Sequence, residues 1–138
     1  MEQEKRLLSK IDEMDGYLKE IQGIELPALK KYSASVTTKR ACERLLQMLI
    51  ETIIDMSYIL HRMKKLGIPK DDDSIIHELA GRGILDDKTA GLILDLKGFR
   101  NILVHKYGEV DDELVYENLT EHLDDFEALK DFFLKQAS

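Results

Sequence analysis

Eight consecutive residues, Arg100-Asn101-Ile102-Leu103-Val104-His105-Lys106-Tyr107, put a guanidinium, an amide, an imidazole and a phenol together between Gly98 and Gly108. The chain holds only 4 histidines, so this pairing of arginine and histidine stands out. The two side-chain types suit phosphodiester chemistry. A guanidinium binds phosphate through paired N–H donors and stabilises charge on its oxygens. An imidazole, with an unperturbed pKa near 6.5, takes or gives a proton near neutral pH. Geometry adds a demand. On a straight helix residues five apart are rotated by about 140°, so Arg100 and His105 do not share a face. The helix is therefore expected to end or loosen within the stretch, or a second subunit to complete the site.

The elements that must carry this stretch read as helices. Leu7, Ile11, Met14, Leu18 and Ile21 alternate spacings of four and three, one stripe of an amphipathic helix that Gly23 and Pro27 end. Tyr32 to Ser35 supplies a capping hydroxyl for the next helix. That helix carries Cys42, Leu45, Leu46, Leu49, Ile50, Ile53, Met56 and Leu60. Running from about Ser35 to Lys65, it is about 45 Å long at 1.5 Å per residue. It is expected to be the spine of the fold and to reach a partner subunit. Gly67 and Pro69 close it.

Asp71-Asp72-Asp73-Ser74 caps a short helix bearing Ile75, Ile76 and Leu79, closed at Gly81 or Gly83. Asp86 and Asp87 suit the positive end of the following helix, whose Ala90, Ile93, Leu96, Phe99 and Leu103 lead into the Arg100–Tyr107 stretch. An acidic cluster, Glu109, Asp111, Asp112 and Glu113, then caps a final helix with Val115, Leu119, Leu123, Phe126, Leu129 and Phe133 on one face. No strand is expected. The fold class is all-α: an up-and-down bundle of four long helices plus one short helix, in a single domain over residues 1–138.

Composition narrows the function classes. The formal net charge is −7, against a broad basic footprint for nucleic acid but compatible with a local basic pocket. Cys42 is the only cysteine, which excludes an intrachain disulfide or a cysteine zinc site and fits a reducing, cytoplasmic setting. No apolar run reaches the roughly 18 to 20 residues that span a bilayer.

Taken together, Arg100 to Tyr107 matches the Arg-x4-His-x-Tyr signature and resembles the HepT-like branch of the HEPN superfamily. Arg40-Ala41-Cys42-Glu43-Arg44-Leu45-Leu46-Gln47 on the long helix, Glu51 and Asp55 after it, and Val110-Asp111 beyond the motif fall in that family's order. The resemblance covers nearly the whole chain. It implies a metal-independent endoribonuclease that needs no cofactor and acts as a homodimer with its two motifs facing each other. It further implies the toxin of a type VII toxin-antitoxin pair, whose partner is a minimal nucleotidyltransferase antitoxin that transfers AMP to the motif tyrosine, here Tyr107. On this reading Arg100 and His105 are the catalytic pair and Asn101 supports them. Lys97, Lys106, Arg40 and Arg44 are candidates to bind RNA.

Other readings of the same residues stay open at this level. Arg100 and His105 also suit the negative end of a helix. Lys39, Arg40 and Arg44 serve surface ion pairs as readily as a basic groove. Glu51, Asp55 and His61 are spaced four and then six apart, which does not put all three on one face, so no metal site is assigned. Asp71 to Asp73 lacks the ligand spacing of a calcium loop. A non-catalytic module that binds nucleotide or substrate for a nucleotidyltransferase is the alternative function.

Overall fold

The computed structural model describes residues 2–104 and 110–138. The described residues form seven helices: α1 (Glu2–Gln22), α2 (Leu29–Ala34), α3 (Val36–Met63), α4 (Asp72–Gly81), α5 (Asp87–Val104), α6 (Asp112–Glu121) and α7 (Leu123–Gln136). No strand occurs among them.

The long helix α3 is the axis of the bundle. It packs against α1, α2, α4, α5, α6 and α7, and so it is buried on most of its circumference. Thirteen of its residues are buried, including Thr52, Ser57 and His61 beside the expected apolar set, of which Leu45 alone is only half-buried. The two buried hydroxyls bond back to their own helix, Thr52 Oγ1 to the Leu49 carbonyl (2.7 Å) and Ser57 Oγ to the Ile53 carbonyl (2.9 Å), so neither is left unsatisfied. His61 Nε2 lies 3.2 Å from Glu78 Oε2 on α4. The polar side of α3 narrows to a strip through Arg40, Arg44, Gln47, Glu51 and Asp55, at steps of three and four.

Capping follows the acidic and hydroxyl signals in the sequence. Ser35 Oγ accepts from the Thr38 amide at the start of α3, and Asp71 accepts from the Ser74 amide at 2.8 Å before α4. Asp86 accepts from the Thr89 amide at 2.7 Å, and Asp111 accepts from the Glu113 and Leu114 amides. Each satisfies an N–H that a helix start leaves open. These amides, Ser74 and Thr89 foremost, hold Asp71 and Asp86 below the ordinary carboxylate value. Gly83, at φ 73°, takes the left-handed turn that ends α4.

Two details differ from the expected element count. The final segment is two helices, because His122 (φ −121°, ψ 8°) leaves helical geometry and lets α7 turn away from α6. Leu29–Ala34 forms an extra helix of 6 residues. It seats the buried Tyr32 edge-on against Tyr116 of α6, ring centroids 5.4 Å apart. The expected stripes on α1 and α5 are all buried, and they share one core with α3 and α7.

Candidate functional site

Arg100 lies in the last described turn of α5, one face of which is pinned to the core by Leu96, Phe99 and Leu103. That leaves the guanidinium, 19% exposed, lying between α3 and α4. Its Nε donates to Asn101 Oδ1 at 3.1 Å and its Nη2 donates to Asp72 Oδ2 at 3.2 Å. Nη1 faces Glu51 Oε1 at 3.8 Å, an ion-pair distance too long for a hydrogen bond. Asp72 has a second partner: Tyr58 Oη on α3 donates to its Oδ1 at 2.7 Å. Burial first, then this bond and the Asp72 charge, push the Tyr58 phenol up to about 12.

Arg100 forms part of the wall of an open cavity of about 370 Å³, shared with Lys10, Glu13, Met48, Glu51, Thr52 and Asp55. Most of the charges here are already paired. Lys10 Nζ lies 3.2 Å from Asp55 and 3.3 Å from Glu13. Burial alone lowers the Lys10 ammonium, but the bonds and charges of Asp55 and Glu13 outweigh it and hold it above its ordinary value. Lys97 Nζ is 2.8 Å from Asp73. Carboxylates therefore outnumber cations around Arg100 among the described residues, and this corner is an arginine inside an acidic collar.

Of the residues singled out in the sequence, Arg100 and Asn101 come together, with Lys97 one turn away on the same helix. Arg44 is exposed on α3, seven residues before Glu51, or about 10 Å along the same strip. Arg40 lies a further turn away, and its guanidinium holds the buried Glu43 carboxylate at 2.9 and 3.0 Å. Lys39 pairs with Asp112 across to α6. His105, Lys106 and Tyr107 lie outside the described residues, as does the expected convergence of Arg100 with His105. Asp55 and His61 part company: Asp55 is exposed and bound to Lys10, while His61 is buried against Glu78.

Two members of the cluster were not foreseen. In the sequence Asp72 reads only as a cap, a role that its neighbour Asp71 fills. Tyr58 stands seven residues after Glu51, on the same strip of α3, and that spacing was the available signal.

The chain is similar to several known proteins. A chain from Aphanizomenon flos-aquae named tRNA nuclease HepT is 32% identical over 101 residues, 72% of this chain and 68% of that one. Another, from Shewanella oneidensis and named mRNA nuclease HepT, is 31% identical over 86 residues, 62% of this chain. The chain spans 65% of the length of that Shewanella relative. A solved structure of a tri-AMPylated Shewanella oneidensis HEPN toxin in complex with MNT antitoxin superposes with a TM-score of 0.83 at 26% identity, covering 94% of this chain and 96% of that one. A family model described as Ribonuclease HepT-like matches residues 14–132. That span takes in α3, α4 and α5, the three helices that frame Arg100, and the chain belongs to the Ribonuclease HepT-like family.

Proposed function

We propose that this protein is a metal-independent endoribonuclease, the toxin of a type VII pair with a minimal nucleotidyltransferase antitoxin. The observation that carries this reading is the placement of Arg100. In a chain of net charge −7, its guanidinium is held at the rim of an open cavity, at the head of the Arg-x4-His-x-Tyr signature. The relatives named as mRNA and tRNA nucleases support the activity. The solved toxin in complex with MNT antitoxin supports the partner.

In this scheme Arg100 binds the scissile phosphate and stabilises the charge that grows on its oxygens. His105 takes the proton of the ribose 2′-OH, or gives one to the leaving 5′ oxygen. The 2′ oxygen bonds to phosphorus as the P–O5′ bond breaks, which leaves a 2′,3′-cyclic phosphate and a 5′-hydroxyl. Asn101, bonded to Arg100 Nε, fixes the guanidinium plane. Arg44 and Arg40 continue the strip of α3 away from Glu51 and guide the RNA strand, with Lys97 one turn before the motif and Lys106 within it. Tyr107 is the AMP acceptor, where added bulk and negative charge exclude RNA.

The protein acts as a homodimer of one domain, residues 1–138, in the cytoplasm. Exposed Ile102 and Val104 beside Arg100 support a subunit contact along α5. No helix among the described residues is long and apolar enough to cross a membrane.

The test is cleavage of RNA by purified protein in EDTA. Wild type cleaves and leaves cyclic phosphate ends. His105→Ala loses at least about 100-fold, the usual contribution of a general acid or base, and Arg100→Ala loses a comparable amount. Equal cleavage by wild type and both variants, or a requirement for added metal, overturns the reading.

A further inference from the structure

The guanidinium of Arg100 is oriented partly from outside its own helix. Two of its three nitrogens are fixed among the described residues, Nε by Asn101 and Nη2 by Asp72. Nη1 is the loosely held edge, facing Glu51 at 3.8 Å beside the open cavity. Asp72 can do this because its other oxygen is also fixed. Tyr58 Oη, 2.7 Å from Oδ1, is the short bond expected of a hydroxyl donating to a carboxylate. A chain of bonds therefore runs Tyr58–Asp72–Arg100–Asn101 and ties α3, α4 and α5 together at one point.

We propose that Asp72 is a positioning residue for Arg100, with Tyr58 locking Asp72 in place, so that Nη1 is presented to the scissile phosphate. The proposal rests on the reading of Arg100 as the phosphate-binding group. Three observations favour positioning over a plain stabilising role. The start of α4 is already capped by Asp71, through the Ser74 amide, so Asp72 is not needed there. The Arg100–Asp72 pair keeps some solvent contact, 19% and 27% exposed, and solvent screening limits what it adds to stability. The bond from Tyr58 uses the oxygen that Arg100 does not, which fixes the carboxylate plane as well as its charge. The Tyr58 phenol, raised by burial and by Asp72, stays protonated and donating throughout the physiological range.

The experiment is single-turnover and steady-state RNA cleavage in EDTA by wild type, Asp72→Asn, Tyr58→Phe and Arg100→Ala, each checked by thermal melting. A misaligned guanidinium loses transition-state contact, and misplacement of about 1 Å can cost about 100-fold. The expected result is a kcat for Asp72→Asn lowered about 10- to 100-fold with KM nearly unchanged, and the same pattern, about 3- to 10-fold, for Tyr58→Phe. In the Arg100→Ala background, Asp72→Asn is expected to add nothing. If Asp72 only diluted positive charge, Asp72→Asn would instead lower KM and leave kcat alone, and that outcome overturns the proposal. Should Asp72→Asn not fold, Tyr58→Phe decides: wild-type kcat overturns the proposal. An inactive Arg100→Ala beside wild-type Asp72→Asn and Tyr58→Phe defeats positioning alone. A fully active Arg100→Ala defeats the reading of Arg100 and positioning with it.

Discussion

Tyr32→Phe should make this protein more stable. Tyr32 is fully buried at the junction of α2, α3 and α6, and its hydroxyl has no hydrogen-bond partner among the described residues. Leaving a buried hydroxyl unpaired costs about 1–3 kcal/mol. Removing its oxygen opens a void of roughly 10 Å³, which at about 24 cal/mol per Å³ returns only about 0.2 kcal/mol. The edge-on contact with Tyr116 survives, since it is made by the ring. The net gain is therefore about 1–3 kcal/mol, or a rise in Tm of about 3–9 °C for a chain this size. An alkaline signature goes with it. Burial first, then Cys42, Glu43 and Asp112, hold the Tyr32 phenol above its ordinary value of 10. A group raised on folding contributes stability that is intact below its unfolded pKa and is lost as pH rises through the folded one. Wild type should thus lose stability above pH 10 through Tyr32, by at most about 1.4 kcal/mol per pH unit, and Tyr32→Phe should not. Tyr58, raised likewise, is present in both proteins and cancels from the difference. Urea unfolding at pH 7 and pH 10.5 measures both effects. A Tyr32→Phe protein less stable than wild type at pH 7 would mean that the hydroxyl is satisfied in the folded state, and the reasoning would fail.

Two further substitutions probe other parts of the fold and the site. Lys65, at φ 55°, ends α3 in the left-handed region where a side chain costs about 1 kcal/mol; Lys65→Gly should stabilise by about 0.5 kcal/mol once glycine's extra freedom in the unfolded chain is subtracted, and urea unfolding that reports a loss refutes the strain. Glu51 faces Arg100 at 3.8 Å without a hydrogen bond, so a phosphate docking on Nη1 meets its charge; with solvent screening the repulsion is about 1 kcal/mol. Glu51→Gln should lower KM for RNA about 5-fold in the cleavage assay, and an unchanged or raised KM removes Glu51 from the phosphate's path.

How far the sequence could be read depended on the range of the interaction behind each feature. Periodicity is local, and Leu7, Ile11, Met14, Leu18 and Ile21 on α1, like Ala90 to Leu103 on α5, are buried as their spacing predicts. Caps are equally local: Ser35, Asp71, Asp86 and Asp111 each bond an amide two or three residues ahead. The break at His122 left no trace, because Leu119, Leu123 and Phe126 keep a helical step across it and no glycine or proline marks the turn. The burial of His61 is not local either: spacing separates it from Glu51 and Asp55, but only α4, which brings Glu78 over it, takes it out of solvent. The site divides along the same line. The contact of Arg100 with Asn101 is legible because the two are adjacent in one motif. That with Asp72 is not, since 28 residues separate it from Arg100 and three consecutive aspartates before a helix read as caps. Only the packing of α4 against α3 and α5 tells the three apart. Asp71 turns to the Ser74 amide, Asp73 to Lys97, and Asp72 alone to both Tyr58 and Arg100. The acidity that argued against RNA in the net charge thus has a local counterpart. In this fold a carboxylate is what aims the arginine, so charge counted along the sequence is a poor guide to whether this corner can hold a phosphate.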